Sequence, residues 1–302
     1  MDTLTTTLEF IIEKLPYFGA GLVLLFLGKL FYNATTRYDI DHEVADGQNA
    51  AVGISFAGFL LGLAFVIAST IVGAGGDLGN ELISIGVSGA LAIVLVRASM
   101  IINDKLILYS FLVRKELTEE KNVGTGYVVA GSSIATGLIL AGVMSGSSDG
   151  YGGLIRDVVI YWAVGQVILV LDGLVFQAIT RYDVHKLIED EQNPAVGISF
   201  AAFLVAQGLI IKTALTGAGT ELGRELLITV LIAVSGLILL VIGRIIADRV
   251  FVPRASLAKE VAEKKNIAAA AVAAATLLAI ALLFGAATDP SAATALSIAE
   301  SL

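Results

Sequence analysis

The chain repeats its own sequence at an offset of 144 residues. The stretch Thr-Arg-Tyr-Asp at 36–39 returns at 180–183, and Gly-Ile-Ser-Phe-Ala at 53–57 returns at 197–201. Between residues 36 and 59, 15 of 24 positions match their partners without a gap. An internal repeat constrains architecture before any local motif does, because each copy must form the same structural unit. We therefore expect two copies of one unit.

Long apolar runs decide what kind of unit this is. Hydrophobic residues make up 57% of the chain, and the 15% that are charged cluster between the runs. A helix of about 20 apolar residues crosses a hydrocarbon core of roughly 30 Å, and its backbone polar groups are satisfied internally. The runs lack the period-2 alternation of barrel strands. The sequence predicts an all-α integral membrane protein with eight transmembrane helices, at about 16–35, 50–73, 81–103, 123–144, 157–178, 195–216, 224–247 and 266–287.

The number of spans fixes how the copies relate. Four spans return the chain to its starting side, so both copies insert in the same orientation as parallel repeats. Leu4, Leu8, Ile11 and Leu15 share one face of a helix, which is typical of a segment lying in the membrane interface. The predicted domains are an interfacial N-terminal helix at 1–15, four-helix membrane repeats at 16–150 and 151–288, and a short interfacial C-terminal tail at 289–302.

The basic residues predict the orientation. The loops after spans 1, 3, 5 and 7 carry twelve Lys and Arg residues, against four on the opposite side. Positive charge accumulates on the cytoplasmic side of membrane proteins. We therefore expect these loops in the cytoplasm and both termini on the non-cytoplasmic side.

Two local features concern helix packing. Ser133, Gly137 and Ala141 recur at four-residue spacing in span 4, and span 8 begins with an alanine-rich run. Small residues let helices approach closely in lipid, so spans 4 and 8 are predicted to be equivalent, tightly packed helices at a seam between repeats or subunits. The alternative is that span 8 is merely rich in alanine. After a break at Pro253, residues 254–265 are predicted to form a short cytoplasmic helix.

A polar motif recurs in both copies at the predicted cytoplasmic side. It comprises Arg37, Tyr38, Asp39, Gln48, Asn49 and Ser55, with Arg181, Tyr182, Asp183, Gln192, Asn193 and Ser199 as partners. Asn and Gln at a helix start can cap its free N–H groups. The motif is interpreted either as a vestibule that coordinates an ion or a lipid head group, or as a repeated clamp that fixes the loop.

Four charges lie inside the apolar runs: Lys29, Arg97, Asp172 and Arg244. A charge at bilayer depth costs at least roughly 2.5–3.5 kcal/mol, so each needs a partner or a function. Arg97 and Arg244 differ by three residues in the repeat register and can project from the same helix face; Arg244 can also reach the interface by snorkelling. Lys29 and Asp172 occupy adjacent positions on equivalent helices, and we hypothesise an ion pair between them.

No catalytic motif is present. The chain has no cysteine and two histidines, which do not align in the repeat. The glycine-rich stretches at 73–79 and 217–223 lack the lysine of a phosphate-binding loop and are interpreted as tight turns. We expect neither an enzyme nor a cofactor or metal site.

The motif resembles a known family. Tyr38, Asp39, Gln48, Asn49 and Gly53, with their partners 144 residues on, are similar to the motif of the YjfL-like inner-membrane proteins, a bacterial domain-of-unknown-function family (number 350). The resemblance covers two tandem copies and implies a multi-pass protein of the bacterial inner membrane. Members accompany membrane-associated phage-shock-like proteins and ATP-grasp ligases, which implies a role in envelope maintenance or stress.

Two functions remain open from the sequence. One is a membrane scaffold, a homo-oligomer in the lipid bilayer that binds a phage-shock-like cytoplasmic partner and no nucleic acid. The other is a channel or transporter for an ion or small solute, favoured by Lys29, Asp172 and Arg97. A dry, packed centre would argue against transport.

Overall fold

The structure is a computed structural model that describes residues 2–73, 76–146, 150–216, 221–251 and 256–288. The described chain is built from helices. In chain order they are α1 (Asp2–Thr35), α2 (Ala50–Val72), α3 (Leu78–Leu106), α4 (Val113–Thr118), α5 (Val123–Met144), α6 (Gly150–Ile179), α7 (Val184–Glu189), α8 (Pro194–Leu215), α9 (Leu222–Ile246), α10 (Leu257–Ala262) and α11 (Ile267–Ala287). Two π-helical turns occur at His42–Asp46 and Ala247–Phe251.

The predicted all-α membrane fold is confirmed. Eight described helices are long and apolar enough to cross a bilayer: α1, α2, α3, α5, α6, α8, α9 and α11. The second and sixth spans begin directly after Asn49 and Asn193, whose side chains accept hydrogen bonds from backbone N–H groups of the first helical turn, as expected of N-caps.

The segment at 1–15 does not form a helix separate from the first span. A single helix runs from Asp2 to Thr35 and contains Pro16. Proline removes one backbone donor, yet the helix continues through it, so the expected boundary at residue 15 is absent. The predicted break at Pro253 and the tail at 289–302 lie outside the described residues, as do parts of both glycine-rich turns.

In the described chain each of the two predicted four-span copies is itself built from two similar two-span units, which makes four units in all. Each unit consists of a first span, a short helix or π-turn, a residue with left-handed backbone, an asparagine N-cap and a second span. The left-handed residues are Gln48, Lys121, Gln192 and Lys265, with φ between 47° and 51°. Each precedes one of the caps Asn49, Asn122, Asn193 and Asn266, which stand 73, 71 and 73 residues apart.

The units pack side by side in two layers. The second spans α2, α5, α8 and α11 form a row in chain order, and the first spans α1, α3, α6 and α9 cover it. In the most apolar stretch of each helix, the share of residues that are buried is 83% for α5 and 78% for α8, against 50% for α2 and 28% for α11. The row therefore has two inner members and two outer members. The short segments 42–46, α4, α7 and α10 join first to second spans on one side, here called the basic face.

Neighbouring helices of the row touch through their backbones. A methyl group added at Gly137 of α5 would collide with the backbone of Gly62 in α2, and one added at Gly197 of α8 would collide with Gly124 in α5. Close approach through small residues drives helix association in lipid. The prediction for span 4 is confirmed, because α5 packs between the two 144-residue copies. Span 8 is not its equivalent in packing, since α11 ends the row.

Candidate functional site

The asparagine caps hold the basic face together. Asn49 Oδ1 accepts hydrogen bonds from the N–H groups of Ala51 and Val52, at 3.1 and 3.3 Å. Its Nδ2 donates to Glu43 Oε2 and to the carbonyl of Leu117 in α4, both at 2.8 Å. One buried side chain thus starts its own helix and binds the short helix of the next unit.

The same connection recurs along the row. Asn122 Nδ2 donates to Glu116 Oε2 at 2.8 Å and to the Ile188 carbonyl of α7 at 2.6 Å. Asn193 Nδ2 donates to the carbonyls of Val261 and Ala262 in α10, at 2.9 and 3.2 Å. Every inner junction is therefore held by an asparagine of the earlier unit and a carbonyl of the later one.

The aspartates of the Arg-Tyr-Asp motif also act within the loop. Asp39 Oδ1 accepts from the N–H of Asp41 at 2.9 Å, and Asp183 Oδ1 accepts from the N–H of Lys186 at 3.1 Å. Within the described chain Arg37 makes no ion pair with Asp39. Gln48 and Gln192 are the left-handed residues and have exposed side chains. These members of the motif match the clamp interpretation.

The arginines instead line two equivalent cavities, one in each copy. The first arginine pocket lies between α1, α3 and α4, measures about 310 Å³ and contains Arg37, Arg97, Arg114 and Asp104. The second lies between α6, α9 and α10, also measures about 310 Å³, and contains Arg181, Arg244, Arg249 and Asp248. Each pocket therefore holds three arginines and one aspartate.

Arg97 and Arg244 stack in the same way although their positions differ. The Arg97 guanidinium lies 5.2 Å from the centre of the Tyr32 ring, and that of Arg244 lies 4.9 Å from the Phe176 ring. Tyr32 and Phe176 are partners in the repeat. A shift of three residues is nearly one helical turn, so both arginines project from the same face, as the sequence predicted. Such cation–π contacts stabilise a partly desolvated guanidinium.

Hydrogen bonds orient both guanidinium groups. Arg97 Nε donates to Thr35 Oγ1 at 2.8 Å, and its Nη2 donates to the Thr35 carbonyl at 3.1 Å. Arg244 Nη2 donates to Tyr182 Oη at 3.1 Å. The side chains of both arginines thus extend toward the basic face, where Arg97 binds the end of α1 and Arg244 binds the loop after α6.

The tyrosines and serines of the motif differ between the copies. Tyr32 Oη lies 3.2 Å from Tyr38 Oη and 3.4 Å from Ser55 Oγ. Burial raises the pKa of Tyr38 above its ordinary value. Ser199 instead donates to the Ala195 carbonyl at 2.9 Å. The first copy therefore has a chain of three hydroxyl groups beside Arg97, and the second copy has a single tyrosine–arginine bond.

The hypothesised Lys29–Asp172 pair is wrong. Lys29 Nζ lies 2.7 Å from Asp41 Oδ1, with 35% of the Lys29 side chain exposed. Asp172 is fully buried, and neither of its carboxyl oxygens has a hydrogen-bond partner within the described residues. Lysine extends its amine along the helix to the polar surface, whereas Asp172 faces the interior of the helix layers. Equivalent helix positions did not bring the two side chains together.

Among the comparisons with known proteins, only the family model matches this chain. The family model described as Domain of Unknown Function (DUF350) matches residues 6–144 and again 150–288. The chain belongs to this family. No curated protein and no solved structure matches it. The two matches coincide with the 144-residue copies, so the resemblance carried by the polar motif is confirmed, and the family brings no assigned activity.

Several structural residues of this family member were missed by sequence reasoning. Asn33 Oδ1 accepts from the Ile40 N–H, and its partner Gln177 Oε1 accepts from the Val184 N–H. A glutamate six residues before the cap bonds the asparagine amide in three of the four units, at Glu43, Glu116 and Glu260. The spacing Glu-x5-Asn was a readable signal. In the described chain no cluster of His, Asp and Glu could hold a metal.

Proposed function

We propose that this protein is a non-enzymatic membrane scaffold that binds anionic phospholipid head groups in its two arginine pockets, at the cytoplasmic face of the bacterial inner membrane. The observation that carries the proposal is the equal charge of the two pockets. Each holds three arginines and one aspartate.

This equality does not follow from simple copying. Arg97 has Val241 as its partner in the repeat, and Arg244 has Met100. Arg114 corresponds to Ala258, while Arg249 corresponds to Lys105. Arg37 and Arg181 are repeat partners, but the other two arginines of each pocket occupy different positions while the composition of the pocket has stayed the same. This pattern supports a role for the charge of the cavity itself, rather than for one particular contact.

The chemistry of the pockets suits a phosphate group. Guanidinium groups bind phosphate oxygens through paired hydrogen bonds, and basic pockets between transmembrane helices on the cytoplasmic side bind lipid head groups. Arg37, Arg114, Arg181 and Arg249 are exposed, and no acidic side chain of the described chain pairs with them. Their donors are available to a ligand.

Lipid retention tests the proposal. The purified protein is placed in nanodiscs of phosphatidylcholine and phosphatidylglycerol, and native mass spectrometry counts the phosphatidylglycerol retained on release. Arg37→Gln with Arg114→Gln should empty the first pocket, and Arg181→Gln with Arg249→Gln the second. Because a hydrogen bond to a charged group contributes about 1.5–3 kcal/mol, each double variant should bind at least about tenfold more weakly at its site.

The matched control makes two Arg→Gln substitutions on the face opposite the basic face, so the net charge changes by the same amount. Arg156→Gln with Arg224→Gln removes two arginines there and should leave retention unchanged. Equal retention by all three double variants would contradict head-group binding in the pockets.

Packing supports a scaffold over a conduit. Helices α2, α5 and α8 touch through their backbones at Gly62, Gly137, Gly197 and Gly208, and such direct contact supports a packed row over a hydrated path between these helices. The resemblance also implies a phage-shock-like partner. Lys259 is the basic residue on α10, and its side chain is exposed and makes no described hydrogen bond or ion pair, so we place such a partner there.

The alternative function, ion or solute transport, is favoured by one observation. Asp172, Gln166 and Gln207 each bury at least one side-chain oxygen that lacks a hydrogen-bond partner within the described residues. Unpaired carboxyl groups at membrane depth mark proton or ion pathways in many membrane proteins. Under this alternative, Asp172→Asn would abolish proton or cation flux into proteoliposomes. If the wild-type protein carries no proton or cation flux in this assay, the transport alternative is excluded.

A further inference from the structure

In the described structure, the row of second spans is open at both ends. Helix α2 is its first member and α11 its last, and the two make no comparable interface with each other in the described structure. The inner seams α2–α5, α5–α8 and α8–α11 are three versions of one interface. Helix α2 therefore presents one half of this interface at one end of the row, and α11 presents the other half at the opposite end.

The inner seams follow a position rule counted from the asparagine cap. The fourth residue after the cap in the later helix packs on the second residue after the cap in the earlier one, as Gly126 packs on Ala51 and Gly197 on Gly124. Nearer the middle of the membrane, the ninth residue of the earlier helix meets the eighth of the later one, as Gly58 meets Ala130.

The same positions are uncovered at the ends. A methyl group added at Gly53, the fourth residue of α2, would have no described heavy atom within 4 Å. Ala57, the eighth residue of α2, is exposed, as are the second and ninth residues of α11, Ala268 and Ala275. Gly53 thus has no described neighbour at the position where its counterparts in α5 and α8 allow two helices to touch.

The polar half of the interface is incomplete in the same way. Asn266 Nδ2 donates to Glu260 Oε2 at 2.9 Å, and no carbonyl of a following unit accepts from it in the described chain. At the other end, Val44 holds the place of the residues whose carbonyls accept in the inner units. Val44 is 43% exposed, whereas Leu117 and Val261 are 3% exposed and Ile188 is 0% exposed.

We propose that the α11 end of one molecule binds the α2 end of a second copy, head to tail, so that the row continues across molecules. Asn266 would donate to the Val44 carbonyl of the second copy, while Ala268 would pack on its Gly53 and Ala275 on its Ala57. A head-to-tail interface of this kind is heterologous and yields rings or filaments according to the rotation between copies.

The small residues continue toward the side opposite the basic face. Gly137 of α5 meets Gly62 of α2 there, which pairs the fifteenth residue of the later helix with the thirteenth of the earlier one. The open ends hold Ala64 and Ala279 at these two positions, and Ala279 is exposed. Two copies can therefore approach closely along most of the seam. The inference does not depend on lipid binding in the arginine pockets.

Disulfide cross-linking in native membranes tests the interface, because the chain has no cysteine of its own. Ala57→Cys combined with Ala275→Cys in one chain should give a ladder of dimers, trimers and larger species on oxidation. Each single variant should stay monomeric, and co-expression of the two single variants should stop at dimers. An isologous interface or random collision would not produce this pattern.

Two further variants complete the test. Leu30→Cys with Leu174→Cys places cysteines at equivalent, exposed positions of α1 and α6, which the proposed seam does not join, and should give no ladder. Adding Gly53→Leu to the Ala57→Cys/Ala275→Cys chain should reduce the cross-linked fraction at least tenfold while the monomer still folds. A ladder from the α1–α6 pair equal to that from the α2–α11 pair, or no ladder at all, would overturn the proposal.

Discussion

The seams of the helix row and the arginine pockets repeat by different rules. In the seams, Gly and Ala recur at fixed distances from the asparagine cap, as at Gly126 and Gly197. In the pockets, two of the three arginines shift position while their number stays the same, as at Arg97 and Arg244. Backbone contact tolerates no displacement, whereas a long flexible cation reaches one place from several starting points. The seams are thus constrained by geometry and the pockets by charge.

The largest effect is expected where the geometric constraint is tightest. Gly137→Leu would force a side chain into the backbone of Gly62, and overpacking in a full interior costs about 1–3 kcal/mol or more. We expect the variant to lose its monodisperse folded peak in detergent and to unfold at a much lower temperature. Gly86→Leu is the control, because a methyl group there meets no described atom within 4 Å. Equal behaviour of the two variants would refute the seam.

The next effect separates inner from outer units. Asn122→Ala removes a cap, worth about 0.5–2 kcal/mol, and leaves the buried Ile188 carbonyl without its donor, at about 1–3 kcal/mol. Asn266→Ala removes a cap that bonds no carbonyl of another unit within the described residues, so it should cost about 1 kcal/mol. Thermal unfolding of the dilute protein measures both. If Asn266→Ala proved as damaging as Asn122→Ala, the link between units would not be the source of the stability.

A relocation variant tests the rule for the pockets. Arg97→Val with Met100→Arg gives the first pocket the arrangement of the second, since Val241 and Arg244 occupy these positions there. We expect retention of phosphatidylglycerol within about twofold of wild type, because charge-assisted hydrogen bonding needs the cation and not its origin. Arg97→Val alone should reduce retention at that pocket about tenfold. If both variants lost phosphatidylglycerol, the position of the arginine on α3 would matter as well as its charge.

The smallest effect concerns an ion pair on the basic face. Hydrogen bonds from Lys264 and Asn266 lower the pKa of Glu260. A depressed carboxyl pKa adds stability at pH above the ordinary value, roughly 4.3, and this contribution disappears as the pH falls through the lowered pKa. The unfolding temperatures of wild type and Glu260→Gln should therefore differ slightly at pH 7 and converge in acid. Glu263→Gln, three residues further along and without such side-chain bonds in the described chain, is the control with the same change of charge.

The sequence was sufficient for the features that rest on hydrophobicity and capping. The eight spans, the tandem copies and the caps Asn49 and Asn193 could all be predicted, because span length and helix-start chemistry are local. The four-unit order was missed because it rests on backbone conformation and small residues. Gln48 and Lys121 share a left-handed φ but no side-chain chemistry, and alanines of α11 replace glycines of α5.

The site was harder to predict than the fold. The polar motif was identified, yet it divides between loop clamps, such as Asn49, and pocket residues, such as Arg37. The pockets also need Arg114 and Arg249 from other segments, which are not partners in the repeat. Lys29 and Asp172 look paired in the alignment of the copies, but only packing determines that one faces the surface and the other the interior.

The seam between the two 144-residue copies has a consequence for descent. It joins α5 to α8 by the same contacts that join α2 to α5 within the first copy. A tandem gene duplication would therefore join its two copies through a surface that each copy already carries. Gain or loss of one two-span unit would use the same surface and would change the chain length by about 72 residues.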